Sequence, residues 1–147
     1  MGDRAPRAAM RATQLRLHRP EARWLRQLAR DLSTLVDVDD DPVLDRLAPS
    51  PYPDDAEASA EFRTHTRDDL LDRRRNDADV VVTDIDDADP DGGEHVVVVI
   101  HELRLDAWLR TLTAIRLIMN ERGRTGPAYD RIGYRLDQLV ESIDPEP

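Results

Sequence analysis

The segment DADPDG, which runs from Asp87 to Gly92, is the closest match in the chain to a known chemical motif. Its three alternating acids followed by glycine form the opening of an EF-hand loop, in which oxygen atoms converge on calcium. Such a loop needs a bidentate glutamate at its twelfth position, and Val98 stands there. We also expect a strand after this loop, where an EF-hand has a helix. The segment therefore favours a solvated acidic turn over a calcium site.

Histidines offer a second kind of chemistry, because they bind metals and transfer protons. The segment HELRLD, which starts at His101, begins like a zinc-protease helix, but Leu105 stands where the second histidine belongs. His95 lies six residues before His101, and on an extended strand the two side chains could point in opposite or intermediate directions. One histidine and one glutamate do not hold a catalytic zinc, which needs three protein ligands. We therefore interpret these histidines as polar residues near a strand–helix junction.

The segment EFRTHTRDDL places His65 among hydroxyl and carboxylate groups that could serve as nucleophile and orienting residue. These neighbours are Thr64, Thr66, Asp68 and Asp69. The two threonines lie on different sides of a helix, and the members of a catalytic triad normally come from separate segments. The pattern therefore indicates an exposed helix face, and the sequence predicts no catalytic residue, no metal ligand and no cofactor.

The composition excludes several other chemistries. The chain of 147 residues has no cysteine, and therefore no disulfide, thiolate zinc site or cysteine nucleophile. All 21 basic residues are arginine, which excludes a Schiff-base lysine and a P-loop lysine. No apolar run is long enough to span a membrane, and the N-terminus lacks the apolar region of a signal peptide. We therefore expect a cytoplasmic protein without a membrane partner.

Charge is distributed unevenly along the chain, whose net charge is −10. Residues 1–30 contain eight arginines and two acids, a balance of +6, while residues 31–147 contain thirteen arginines and 29 acids, a balance of −16. The acidic part would repel phosphate, so nucleic acid is not the expected main partner. The consecutive arginines 73–75 lie among aspartates, which indicates a salt-bridged, solvated helix face. The arginines of the N-terminal arm instead suit an acidic partner.

Hydrophobic spacing predicts the elements that must position these residues. Alternation over 13–18 and the valine-rich run 94–100 predict two strands. Apolar residues three and four positions apart predict a short helix over 42–47 and longer helices over 20–36, 56–75, about 78–85, 102–122 and 127–143. The fold class is therefore mainly α, with about five helices and a small two-stranded β ribbon. We expect a disordered basic arm over 1–12, a single helical domain over 13–143 and a frayed tail over 144–147.

The two tryptophans lie in similar surroundings, WLRQL at 24–28 and WLRTL at 108–112. Each stands in the first turns of a helix that follows a strand, so the chain contains two strand-then-helix units about 84 residues apart. A tryptophan among leucines at helical spacing is more often a core residue than part of a binding motif. We therefore predict that both indole rings are buried anchors of an aliphatic core.

Three blocks resemble, in order and spacing, an uncharacterised actinobacterial family known as DUF2017. They are PYPDDAEASAEFRTHTRDDL (51–70), AWLRTLTAIRLIM (107–119) and AYDRIGYRLDQLV (128–140). The resemblance covers most of residues 13–143, and it implies a small, mainly helical cytoplasmic protein with no assigned activity and no catalytic residues to carry over. The chain departs from the family's pattern at Asn120–Gly123, Arg131 and Tyr134, where relatives tend to have other residues.

The resemblance also implies a functional context, because relatives are often encoded beside the adaptor that delivers substrates to the Clp protease. With the missing catalytic patterns, this predicts a non-enzymatic protein-interaction or regulatory module linked to Clp-dependent regulated proteolysis. The expected partner is another protein, or a second copy of the chain, and the residues expected to bind it are Arg4, Arg7, Arg11, Glu61, His65, Asp68 and Asp69. Two alternatives remain: a DNA-binding transcriptional regulator, and a metal-dependent hydrolase that uses His65, His95 or His101.

Overall fold

Six helices and a two-stranded ribbon make up the part of the chain that the computed structural model describes, which is residues 11–38, 41–49, 54–62, 66–89 and 92–143. In chain order the elements are β1 (Ala12–His18), α1 (Arg19–Leu35), α2 (Leu44–Leu47), α3 (Ala56–Phe62), α4 (Asp68–Asp87), β2 (His95–His101), α5 (Glu102–Glu121) and α6 (Pro127–Ile143). The predicted fold class is confirmed. The predicted tail over 144–147, and the predicted arm up to residue 10, lie outside the described residues.

The ribbon is antiparallel, with Ala12 opposite His101 and His18 opposite His95. Side chains alternate between its two faces, as in any strand. The inward face is buried and consists of Leu15, Leu17, Val96, Val98 and Ile100. One face of the ribbon therefore packs against the helices, and a two-stranded sheet needs such cover to be stable.

The long helices form where apolar residues recur at helical spacing. α1 has Pro20 in its first turn and buries Ala22, Leu25, Ala29 and Leu32 on one face. α5 contacts α1, α2, α4, α6 and β2, so it is the central helix of the described structure. None of the described helices combines the length and the apolar character that crossing a bilayer would require.

The predicted boundary between a helix over 56–75 and a separate helix at about 78–85 is wrong. α3 ends at Phe62, and α4 then runs without interruption from Asp68 to Asp87. The reason is that Leu71, Ala78, Val81 and Ile85 form a single buried stripe at helical spacing. No proline or glycine interrupts residues 68–87, so nothing in that segment ends a helix at residue 75.

The two strand-then-helix units are related by a shift of 83 residues rather than 84. His18 and His101 are the equivalent residues that precede α1 and α5, and their backbone angles nearly coincide, with φ −66° and ψ 147° against φ −67° and ψ 148°. This shift makes Trp108 equivalent to Leu25, and both are fully buried. Trp24 is only half-buried and packs at the margin of the core. The prediction that both tryptophans are buried is therefore correct for Trp108 alone.

A polar contact inside the core joins α4 to α5. The Trp108 indole Nε1 donates to the Asp84 carboxylate at 2.8 Å, and Arg104 Nε donates to the other oxygen at 2.9 Å. Asp84 is only 7% exposed, so these two donors take the place of water. A second internal ion pair, from Arg135 to Glu21 at 2.7 Å, ties α6 to α1.

Asp84→Ala should lower the free energy of unfolding by about 2–3 kcal/mol, because it leaves the Trp108 N–H without an acceptor and removes the partner of Arg104. Urea denaturation followed by circular dichroism would measure the loss. Asp87→Ala removes an exposed aspartate at the end of the same helix and should change stability by less than about 0.5 kcal/mol. Equal effects of the two substitutions would show that the Asp84 contact does not stabilise the fold.

Neighbouring valines on opposite faces of β2 provide a second test of the packing. Val98→Thr should cost about 2 kcal/mol, because it places a hydroxyl in the fully buried layer under the ribbon. Val97→Thr and Val99→Thr keep the branched shape on the outward face and should each change stability by less than about 0.5 kcal/mol. Thermal or urea unfolding would compare the three variants, and a large cost at Val97 or Val99 would mean that the outward face is covered.

Candidate interaction surface on the outward face of the ribbon

The outward side of the ribbon, called the ribbon face below, carries an unusual selection of side chains. It consists of Ala12, Gln14, Arg16, His18, His95, Val97, Val99 and His101, all of them exposed. Three of the chain's four histidines are among these eight residues, and there is no carboxylate, although the chain has 31 acids. The ribbon face is therefore a region without negative side chains in a strongly acidic protein.

Apolar and polar side chains form separate rows on this face. Val97 and Val99 lie along β2, opposite Arg16 and Gln14 of β1. Val97 is 41% exposed and Val99 is 43% exposed, and Leu103, in the first turn of α5, is 88% exposed. Single exposed apolar residues are ordinary on protein surfaces, but two neighbouring valines beside an arginine are a combination that interaction sites favour.

Two of the histidines contact one another across the ribbon. His18 and His95 are register partners, and their ring centroids lie 4.3 Å apart with the planes tilted by 41°. His101 lies at the other end of β2 and on the same face as His95, because the two are an even number of residues apart. Their separation along the strand is about 20 Å, so they share no metal ion. Within the described ranges, no three histidine, aspartate or glutamate side chains converge as a metal site would require.

The ends of the ribbon are closed by backbone hydrogen bonds. The Arg19 N–H donates to the Glu94 carbonyl at 2.9 Å, and the Glu102 N–H donates to the Arg11 carbonyl at 2.9 Å. Each strand pairs only with the other in the described sheet, so each also has an outer edge. An unpaired strand edge can accept a further extended segment, which is a common mode of peptide recognition.

The structure separates the residues that were predicted to bind a partner. Arg11 is exposed next to the ribbon, immediately before β1. Glu61 is exposed on α3, and Asp68 and Asp69 are exposed in the first turn of α4. Arg4, Arg7 and His65 lie outside the described residues. The ribbon-face residues themselves were not predicted as a site, although the alternation of leucines with Gln14 and Arg16 already indicated an outward row on β1.

The acidic segment that resembles an EF-hand loop lies between α4 and the ribbon. Asp87 is the last residue of α4, and β2 follows the loop in place of an EF-hand's second helix. The Gly92 N–H donates to the Asp89 carbonyl at 3.0 Å, and a Cβ at Gly92 would lie 2.7 Å from the Asp89 side chain. A side chain at residue 92 would therefore require the Asp89 carboxylate to shift. Pro90 and Asp91 lie outside the described residues.

Comparison with known proteins places the whole domain in one family. No curated protein matches the chain, and no solved structure does. The family model described as "Domain of unknown function (DUF2017)" matches residues 3–143, which is nearly the entire sequence of 147. The resemblance of the three sequence blocks is thereby confirmed, and the chain belongs to the DUF2017 family.

Proposed function

We propose that this chain is a non-enzymatic protein-interaction module that binds its partner through the ribbon face. The observation that carries the proposal is the exposure of Val97 and Val99 opposite Arg16 and Gln14, on a face without any carboxylate, with the exposed Leu103 following two residues after the end of β2. Burial of exposed aliphatic side chains is the main favourable contribution to protein association. Arginine contributes strongly at interfaces because its guanidinium forms directed bonds with carboxylates.

The chemistry of the face indicates the chemistry of its partner. A complementary segment has apolar side chains that contact Val97 and Val99 and at least one carboxylate that binds Arg16. An extended segment with alternating apolar and acidic residues meets both requirements, since its side chains repeat with the same period of two as the ribbon. The basic residues that precede β1, of which Arg11 is described, extend the favourable charge toward the N-terminus. A component of Clp-dependent proteolysis in the cytoplasm is the partner that the sequence resemblance suggests first.

An affinity experiment with matched variants tests this function. The triple variant Val97→Thr, Val99→Thr, Leu103→Ser removes apolar surface while it keeps branched residues in β2, and it should recover the partner from native lysate about tenfold less efficiently. The control Val38→Thr changes a valine that is 47% exposed and follows the end of α1 remote from the ribbon, and it should recover the partner fully. Mass spectrometry would quantify the captured proteins. Recovery that is equal for both variants, or no specific protein with the unaltered chain, would contradict the proposal.

A second candidate function is DNA binding, and one observation favours it. A two-stranded antiparallel ribbon fits into the major groove of DNA, and Gln14 and Arg16 are residue types that bind base edges. In that case the ribbon itself would be the element that contacts the bases. The net charge of −10 opposes this function, because an acidic protein repels the phosphate backbone of DNA.

Gel-shift titration with random-sequence duplex DNA distinguishes the two functions. If the ribbon face binds protein, no shift should appear at 50 mM salt with the unaltered chain or with Arg16→Ala. A shift that weakens with added salt and disappears in Arg16→Ala would replace the protein-binding proposal by a DNA-binding one.

A further inference from the structure

A groove between α2, α4 and α5 combines apolar walls with several arginines. Its volume is about 560 Å³, which lies within the range of small-ligand pockets. Leu47, Leu70 and Leu109 supply its apolar surface, and Arg73, Arg74 and Arg110 supply its positive charge. Asp77 is the acid that lines it. Three guanidinium groups against one carboxylate leave a local charge of +2 in a protein whose net charge is −10.

Among the arginines of the groove, Arg110 already forms an ion pair with a carboxylate. Its Nε donates to one Asp77 oxygen at 2.8 Å, and its Nη2 donates to the other at 3.1 Å. This two-point bond raises the pKa of Arg110, and the charge of Asp106 acts in the same direction. Both carboxylate oxygens of Asp77 are therefore bound to Arg110.

Arg74 lies in the opposite situation. It is half-buried, and its Nη2 donates to the Leu47 carbonyl at 3.2 Å. Burial lowers the pKa of Arg74, because loss of water outweighs the attraction of Asp77, while Arg110 adds repulsion. Arg73, the preceding residue, is exposed, and neither arginine forms an ion pair with any residue that the structure describes. Among the described residues, no carboxylate is therefore bound to either of these two guanidinium groups.

Arg75, the third consecutive arginine of α4, forms ion pairs with two aspartates. Arg75 donates to Asp37 and also pairs with Asp72 at 3.2 Å, and the bond to Asp37 raises the pKa of Arg75. Of the salt-bridged face predicted over residues 73–75, the ion pairs are seen at Arg75, while Arg73 and Arg74 form none with the described residues. Their side chains point toward α2 and α5, where apolar residues lie.

We propose that this groove binds a small organic anion, a carboxylate or phosphate ester attached to an apolar body. The anionic group bonds to Arg73 and Arg74, and the apolar body lies against the three leucines. Guanidinium groups suit such ligands, because their planar donors bind carboxylate and phosphate oxygens in pairs. The site is separate from the ribbon face, and ligand binding here requires none of the residues proposed for the protein partner.

Titration with hexanoate and hexyl phosphate, followed by isothermal calorimetry or protein NMR, tests the site. We expect saturable binding with a Kd of about 1 mM for these small probes, and no binding of hexan-1-ol or hexylamine. Arg74→Gln should weaken the binding about tenfold, since a hydrogen bond to a charged group is lost. Arg131→Gln, which removes an exposed arginine of α6, should leave it unchanged.

Further variants keep each outcome informative. If Arg74→Gln unfolds, Arg73→Glu decides, because Arg73 is exposed and its reversal should abolish binding without loss of helical signal. The ribbon-face triple variant should bind hexanoate like the unaltered chain, so failure here and failure of the protein-binding proposal appear in different variants. Absence of saturable anion binding, or equal binding by Arg73→Glu, would overturn the inference. Binding of a leucine–glutamate peptide without binding of either hexyl probe would also overturn it, because the groove would then be a protein site.

Discussion

The pairing of β1 with β2 is the constraint on which the rest of the structure depends. It joins segments that lie more than 70 residues apart in sequence, and it fixes the two points at which α1 and α5 begin. Because each helix starts at the residue after its strand, the directions of α1 and α5 follow from the ribbon. The equivalence of Leu25 with Trp108 is a consequence, since both lie seven residues beyond the histidine that precedes their helix. The same pairing leaves one face of the ribbon without cover.

α4 connects the two strand-then-helix units, because it packs against both α1 and α5. Its second half is a core element, in which Ala78, Val81 and Ile85 are buried and Asp84 accepts from Trp108. In its first half, Leu70, Arg73 and Arg74 line the groove, and Arg75 forms an ion pair with Asp37 outside it. One continuous helix thus rigidly links the middle of the core to the proposed anion site. A division at residue 75 would have made these two halves independent.

Much of the fold was predictable from the sequence, since strands and helices here follow simple spacing. Leu15 and Leu17 alternate with polar residues, and the stripes of α1, α5 and α6 repeat every three or four positions. The sites were less predictable, for two physical reasons. The valines of β2 look alike in sequence, and only pairing with β1 decides that Val97 and Val99 face outward while Val96 and Val98 face the core. Likewise, burial of Arg74 depends on contact with Leu47, which lies 27 residues away.

The uneven charge determines how the two proposed sites would operate. At physiological ionic strength electrostatic potentials decay over about 8 Å, so an acidic ligand approaching the acidic body is repelled until it lies close to the ribbon face or the groove. Long-range attraction therefore contributes little to association, in contrast to proteins that steer ligands with a single-sign field. In the proposed protein-binding function, affinity would come mainly from burial of Val97 and Val99 in the ribbon face and of the nearby Leu103, and Arg16 would select the orientation. In the groove, both oxygens of the lining acid Asp77 already accept from Arg110, so this carboxylate does not compete with the proposed anion for Arg73 and Arg74. At both proposed sites, the ribbon face and the groove, selectivity would therefore depend on short-range contacts in which the surrounding acidic side chains take no part.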